Sequence, residues 1–163
     1  MKGSELFCAI QCDSVLSNHV IGVYARETLP VLSYPMLSRG VGLIVNTDKS
    51  GREGQHWVVM YFKDKRAELF DSLAEPVCKE FDDYLKLYAG SYTSNNHQLQ
   101  SSDSSICGLY CLYYLLCKFQ AFMTLFTFSN QFDVTDLTWN DMFISQYICH
   151  YFKYCHPSCI DCT

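Results

Sequence analysis

Three short apolar blocks separated by turn signals occupy residues 41–73, and a longer, denser apolar run follows residue 105. VGLIVNTD (41–48) is rich in β-branched residues and closes on Asn-Thr-Asp, which predicts a strand ending in a turn. KSGREG then carries the chain around to QHWVVMYFKD, whose uninterrupted apolar stretch reads as a strand buried on both faces. A tight turn through Asp64 and Lys65 returns the chain in AELFDSL (67–73), a third strand antiparallel to the second. In such a pair, residues equally distant from the turn lie opposite each other, so the start of the second strand and the end of the third share one edge.

Helical spacing marks four other segments. SELFCAIQC (4–12) predicts a short amphipathic helix with Ser4 as its cap, and PVCKEFDDYLKLYA (76–89) a surface helix with Pro76 at its first position. Between them, SVLSNHVIGVYARETLP fits neither period. SYTSNNHQLQ (91–100) reads as one more strand, leading through SSDSS to a buried helix that begins at Cys107. Residues 106–128 are apolar enough to raise a membrane span, but Lys118 and Gln120 sit in the middle, and a central lysine costs about 2.5 to 3.5 kcal/mol on insertion. The segment is expected instead to be a core helix followed by a second apolar element. A last helix runs through WNDMFISQYICHYFKY with Thr138 as its cap, and no internal repeat is apparent.

Composition narrows the class. The 163 residues predict a single domain, 1–163, and 49% hydrophobic against 18% charged residues excludes a disordered chain. A net charge of −5 argues against a dedicated nucleic-acid binder, because phosphate contacts need clustered Lys and Arg. The basic residues that do gather between Arg39 and Arg66 are expected on the solvated faces of strands and turns. The N-terminal MKGSELFCAIQCDS has no secretory apolar core, so a secreted disulfide scaffold is not expected and most of the ten cysteines should be free thiols. At least one is then a candidate nucleophile or metal ligand.

Cys107 is the strongest of them. A thiol at the start of a buried helix meets the first backbone N–H groups and the positive end of the helix dipole, which favour thiolate. His56, at the start of the second strand, and Asp71, at the end of the third, share the sheet edge described above. A carboxylate behind an imidazole fixes its tautomer and strengthens it as the base for a thiol. Gln100, seven residues before Cys107, has a side-chain amide able to donate to a developing oxyanion beside the Cys107 N–H, and Gly108 leaves room for a substrate backbone. Each has an ordinary alternative: a packed cysteine, a satisfied strand histidine, a turn aspartate and a surface glutamine.

Taken in order, His56-Trp57 on a strand, Asp71 in LFDSL on the next, then Gln100 and Cys107-Gly108 in QSSDSSICGLYC resemble the adenovirus endopeptidases, the adenains. VGLIVNTDKSGREGQHWVVMYF is similar to that family's strand, turn and strand around its histidine, and the resemblance covers roughly residues 20–120. Two features differ. Adenains often carry Glu where this chain has Asp71, and Asp followed by Ser is more typical of the related SUMO-specific proteases, which usually place Asp before the Cys where this chain has Ile106. The resemblance implies an α+β, papain-like fold with a mainly antiparallel sheet and a central helix carrying the nucleophile. It implies a viral or virus-derived cysteine endopeptidase, working as a monomer with a Cys107-His56-Asp71 triad, an oxyanion hole of Gln100 and the Cys107 amide, and a groove lined by Gly108 and Trp57. Its substrates would be structural precursors cut at small, Gly-type sites, in the virion and the infected cell, the nucleus included. No resident cofactor or metal follows from it; an activating peptide and, less so, DNA are the activators known in that family. The alternative within enzymes is a deconjugating protease of ubiquitin-like modifiers, for which LFDSL is the support.

The C-terminal CHYFKYCHPSCIDCT holds Cys149, His150, Cys155, His156, Cys159 and Cys162. Cys159 and Cys162 have zinc-knuckle spacing, so a zinc-binding interaction module is the non-enzyme alternative, beside free thiols or a disulfide. Cys8 and Cys12, one turn apart, are expected to face the core, as are Cys111, Cys117 and Cys149.

Overall fold

A computed structural model describes residues 1–48 and 56–153. Its centre is a five-stranded sheet of β1 (Val20–Tyr24), β2 (Val41–Asn46), β3 (Trp57–Lys63), β4 (Arg66–Phe70) and β5 (Tyr92–Ser94), in that spatial order. The three central strands pair antiparallel as the apolar blocks imply, with Val59 opposite Phe70 and Lys63 opposite Arg66 across the turn. That turn is closed by Asp64 at φ 54°, a left-handed conformation that Asp tolerates better than most residues. The outer pairs, β1 with β2 and β4 with β5, run parallel. The sheet is therefore mixed rather than mainly antiparallel, because each edge strand is reached by a crossover through helices and not by a hairpin.

Both faces of the sheet are covered, which explains why β2 and β3 read as continuous apolar runs. On one face Ile44, Val59 and Phe70 meet α5 (Cys107–Gln120), buried at every position from Cys107 to Cys117. On the other, Val45, Val58, Met60, Phe62 and Leu69 meet Phe81 and Leu85 of α4 (Lys79–Ala89). The ends of α5 account for the polar residues in its sequence. Lys118 Nζ lies 2.6 Å from Glu68 Oε2 on β4 and 4.3 Å from the centre of the Tyr61 ring, while the Tyr114 hydroxyl donates to the same carboxylate. Among the described residues no helix is long and apolar enough to cross a membrane.

The ambiguous segment after residue 12 resolves into α2 (Ser14–His19), capped by the Asp13 carboxylate accepting from Val15 and Leu16 N–H, and then β1. Several boundaries differ from the sequence reading. Helix α1 (Gly3–Cys12) starts before Ser4 because Glu5 accepts from the Lys2 N–H, and Pro76 lies outside α4, whose N-cap position is Cys78. The last helix, α7 (Leu137–Phe152), is capped by Asp136 accepting from the Trp139 N–H, not by Thr138. Strand β5 is only three residues long, and a short helix, α6 (Leu125–Ser129), is the second apolar element after α5. Cys12 is exposed rather than core-facing, and Cys8 and Cys149 are each disulfide-bonded, while Cys78, Cys107, Cys111 and Cys117 are free thiols. The KSGREG turn and the cysteine-rich tail beyond residue 153 lie outside the described residues.

Packing between β2 and α5 leaves no space at Gly42. A Cβ there would stand 2.7 Å from Leu115 Cδ2, a fully buried side chain. Gly42→Ala is expected to destabilise the fold by about 1 to 3 kcal/mol through overpacking, measured as a lowered midpoint of urea unfolding at unchanged slope.

Candidate active site

The sheet edge where β3 begins and β4 ends carries the two groups that sequence spacing brings together. Beyond the β2–β3 ladder the His56 carbonyl still accepts from the Thr47 N–H at 2.9 Å, so the histidine backbone is held as an extension of β3. Its imidazole is 4% exposed, and Nε2 lies 2.5 Å from Asp71 Oδ1. The carboxylate is oriented by the chain that follows it: Oδ1 also accepts from the Leu73 N–H at 2.8 Å and Oδ2 from the Glu75 N–H at 3.1 Å. With Nε2 engaged, the other ring nitrogen, Nδ1, is buried and closes no hydrogen bond of ordinary geometry within the protein.

Cys107 is the other group that acts on this imidazole. It is the first residue of α5, 5% exposed, and no side chain caps the helix at Ile106. The thiol therefore sits where backbone N–H groups of the first turn lack intrahelical partners. Burial acts against a charged imidazole, but the hydrogen bond to Asp71 and the interaction with Cys107 outweigh it and raise the His56 pKa to about 10. A histidine so raised is held toward its protonated form at neutral pH. Cys111, one turn on, makes the contrast. Its thiol is deeply buried, donates to the Trp57 carbonyl at 3.4 Å and is pushed by burial well above the usual thiol range.

Gln100 is not a surface residue. It is 1% exposed, its Oε1 accepts from Ser72 Oγ at 2.7 Å, and its Nε2 donates to the Ser104 carbonyl at 2.8 Å. The loop bearing it is anchored at Leu99, whose carbonyl accepts from the Tyr110 hydroxyl at 2.9 Å and from Asn140 Nδ2 at 3.0 Å. Of the residues assigned to the groove, Trp57 is partly buried and its indole N–H donates to the Met1 carbonyl at 3.1 Å. Gly108 is buried against the N-terminal segment, and a Cβ there would stand 3.0 Å from Met1 Sδ and 3.2 Å from Leu6 Cδ2. Its small size lets that segment approach α5, a packing reason that differs from the expected room for substrate.

Sequence reasoning passed over Asn95 and Ser72. Asn95 accepts from the Asp71 N–H at 2.9 Å and donates to the Asp71 carbonyl at 2.6 Å, so one buried side chain satisfies both backbone groups of the carboxylate residue. The only signal for it was its place just after the β5 run. Among the described residues no cluster of three or more His, Cys, Asp or Glu could hold a metal ion. A cavity of about 570 Å³ opens between β5 and α6; its lining includes Asn95 but neither His56, Asp71, Gln100 nor Cys107.

No family model and no curated protein matches the sequence. Solved structures match the fold. The ASFV pS273R protease superposes at a TM-score of 0.52 with 12% identity, over 83% of this chain and 60% of that one, and a second structure of it at 0.47 with 18% identity, over 62% and 42%. The chain thus spans well under two thirds of the viral protein's length. The central domain of the uncharacterized Lpg1148 protein from Legionella pneumophila superposes at 0.54 with 16% identity, over 94% of this chain and 98% of that domain. The α+β architecture read from the sequence is similar to that of the ASFV pS273R protease.

Proposed function

We propose that this chain is a cysteine endopeptidase. The observation that carries the reading is the convergence of a buried, carboxylate-held imidazole on the thiol that opens the central helix. In the proposed mechanism the Cys107 thiolate attacks the scissile carbonyl, and the His56 imidazolium, held through Nε2 by Asp71, donates its Nδ1 proton to the departing amine. The resulting thioester is hydrolysed by water, with His56 now acting as the base. Gln100 and the Cys107 backbone N–H are the donors assigned to the oxyanion, the charge that develops in both steps. The fold shared with the viral pS273R protease supports a protease of viral type. Within this reading the substrates are structural precursors cut at small residues in the virion or infected cell, and a peptide activator remains a partner to test.

A deconjugating protease is the second reading, favoured by Asp71-Ser72, since the serine is built into the site through Gln100. Short Gly-containing peptides against folded modifier fusions separate the two: turnover of the peptides supports the endopeptidase, and a requirement for the folded modifier supports deconjugation.

The pairing itself is tested by the rate of Cys107 alkylation with iodoacetamide against pH, followed by mass spectrometry. Wild type is expected to react well below the ordinary thiol pKa of about 8.5 and His56→Ala to lose that reactivity, with peptide turnover falling about 10²- to 10⁴-fold. A Cys107 that reacts only on unfolding overturns the proposal for the chain alone, and repeating the measurement with candidate activating peptides decides whether an activator assembles the pair.

Stability carries the same signature. Because the folded-state pKa of His56 lies above its ordinary 6.5, the folded protein holds a proton that the unfolded chain releases between pH 6.5 and about 10. The contribution is complete below that window and is lost as pH rises through it. Urea midpoints measured across the window are expected to fall more steeply for wild type than for His56→Ala.

A further inference from the structure

Ser72 is buried, 1% exposed, next to the carboxylate residue, and has no place in the chemistry described so far. Its hydroxyl donates to Gln100 Oε1, and its carbonyl accepts from the N–H groups of both Leu99 and Gln100, at 2.8 and 3.0 Å. A carbonyl oxygen can only accept, so Ser104 fixes which end of Gln100 is nitrogen, and the Ser72 hydroxyl, able to donate or accept, donates to the oxygen at the other end and holds it in place. The Nε2 group is then committed to the opposite side, where one of its two hydrogens goes to the Ser104 carbonyl and the other is left for a further acceptor. Resting on the endopeptidase reading, we propose that Ser72 is a positioning residue for the oxyanion hole, holding the Gln100 amide with its N–H donor toward the developing charge.

This assignment links the two halves of the site through one dipeptide. Asp71 orients the base and Ser72 orients the oxyanion donor, so the end of β4 sets both. Without the Ser72 hydroxyl, Gln100 Oε1 would be buried with its donor gone, and the amide would be held only through Nε2 at Ser104.

The test separates two reactions of the same thiol. Alkylation by iodoacetamide forms a carbon–sulfur bond with loss of iodide and creates no oxyanion. Addition to a peptide aldehyde forms a carbon–sulfur bond while the carbonyl π pair moves to oxygen, and that oxygen needs the hole. The probe is a short acetylated peptide ending in glycinal, with Kd measured for wild type, Ser72→Ala, Gln100→Ala and the double variant. Ser72→Ala is expected to keep the wild-type alkylation profile against pH and to bind the aldehyde about tenfold more weakly, with no further loss when added to Gln100→Ala.

Unchanged aldehyde affinity in Ser72→Ala overturns the assignment, as do losses that add to those of Gln100→Ala or a parallel loss of alkylation, which marks general damage. A wild type that alkylates readily at neutral pH but forms no hemithioacetal also overturns it. If wild-type alkylation shows no dependence on His56, the endopeptidase reading itself fails and this assignment falls with it.

Discussion

The hydrogen bond from His56 Nε2 to Asp71 Oδ1 is the contact on which the rest of the site depends. A carboxylate removed from water is costly unless its oxygens are satisfied, and here both are: the imidazole and the Leu73 N–H share Oδ1, and the Glu75 N–H takes Oδ2. Asn95 does the same for the backbone of that residue. The chain just past β4 therefore curls around the Asp71 side chain instead of continuing as a strand. That curl sends the chain on toward α4, and it leaves the Ser72 carbonyl facing the loop that carries Gln100.

The fold supplies rigidity for this arrangement from both sides. A sheet buried on two faces cannot slip by one residue without exchanging its two sets of side chains, so the register that places His56 beside Asp71 is strongly specified. Helix α5 is fixed against one face by apolar packing along its buried length and by Glu68, Lys118 and Tyr114 at its C-terminal end. A buried ion pair of this kind is weak evidence for net stability, because desolvation offsets most of its attraction. Its geometric effect is clearer: it ties the last turn of α5 to β4, the strand that ends at the carboxylate.

Much of this was legible in the sequence because the relevant contacts are either local or imposed by a hairpin. The two-residue turn at Asp64 and Lys65 makes the pairing of β3 and β4 a matter of counting, and the counting brings His56 and Asp71 to one edge. The density of apolar residues after Ile106 announced a buried helix, and its abrupt start at Cys107-Gly108 placed the thiol at a helix terminus. The parallel edges of the sheet were not legible, since a crossover leaves no turn signal. Nor were the roles of Ser72 and Asn95, because small polar residues at strand ends read as turn formers and their partners lie 28 and 24 positions away. Gly108 was misread for a related reason: its tight neighbour, Met1, is remote in sequence, so the glycine suggested open space where the structure has close packing.

Which cysteine could act is decided by the electrostatics of one helical turn. Cys107 and Cys111 are both buried on α5, one turn apart. Cys111 lies a full turn inside the helix, where its thiol is already engaged with a carbonyl and an added negative charge would face the charges of Cys107 and Asp71. Cys107 lies at the first position, beside N–H groups that the helix itself does not use and next to an imidazole held toward its protonated form. One turn further into the helix, burial and the neighbouring negative charges disfavour a thiolate at Cys111. What distinguishes the two cysteines is therefore their position relative to the helix start, and that start is set by where the loop bearing Gln100 delivers the chain to α5.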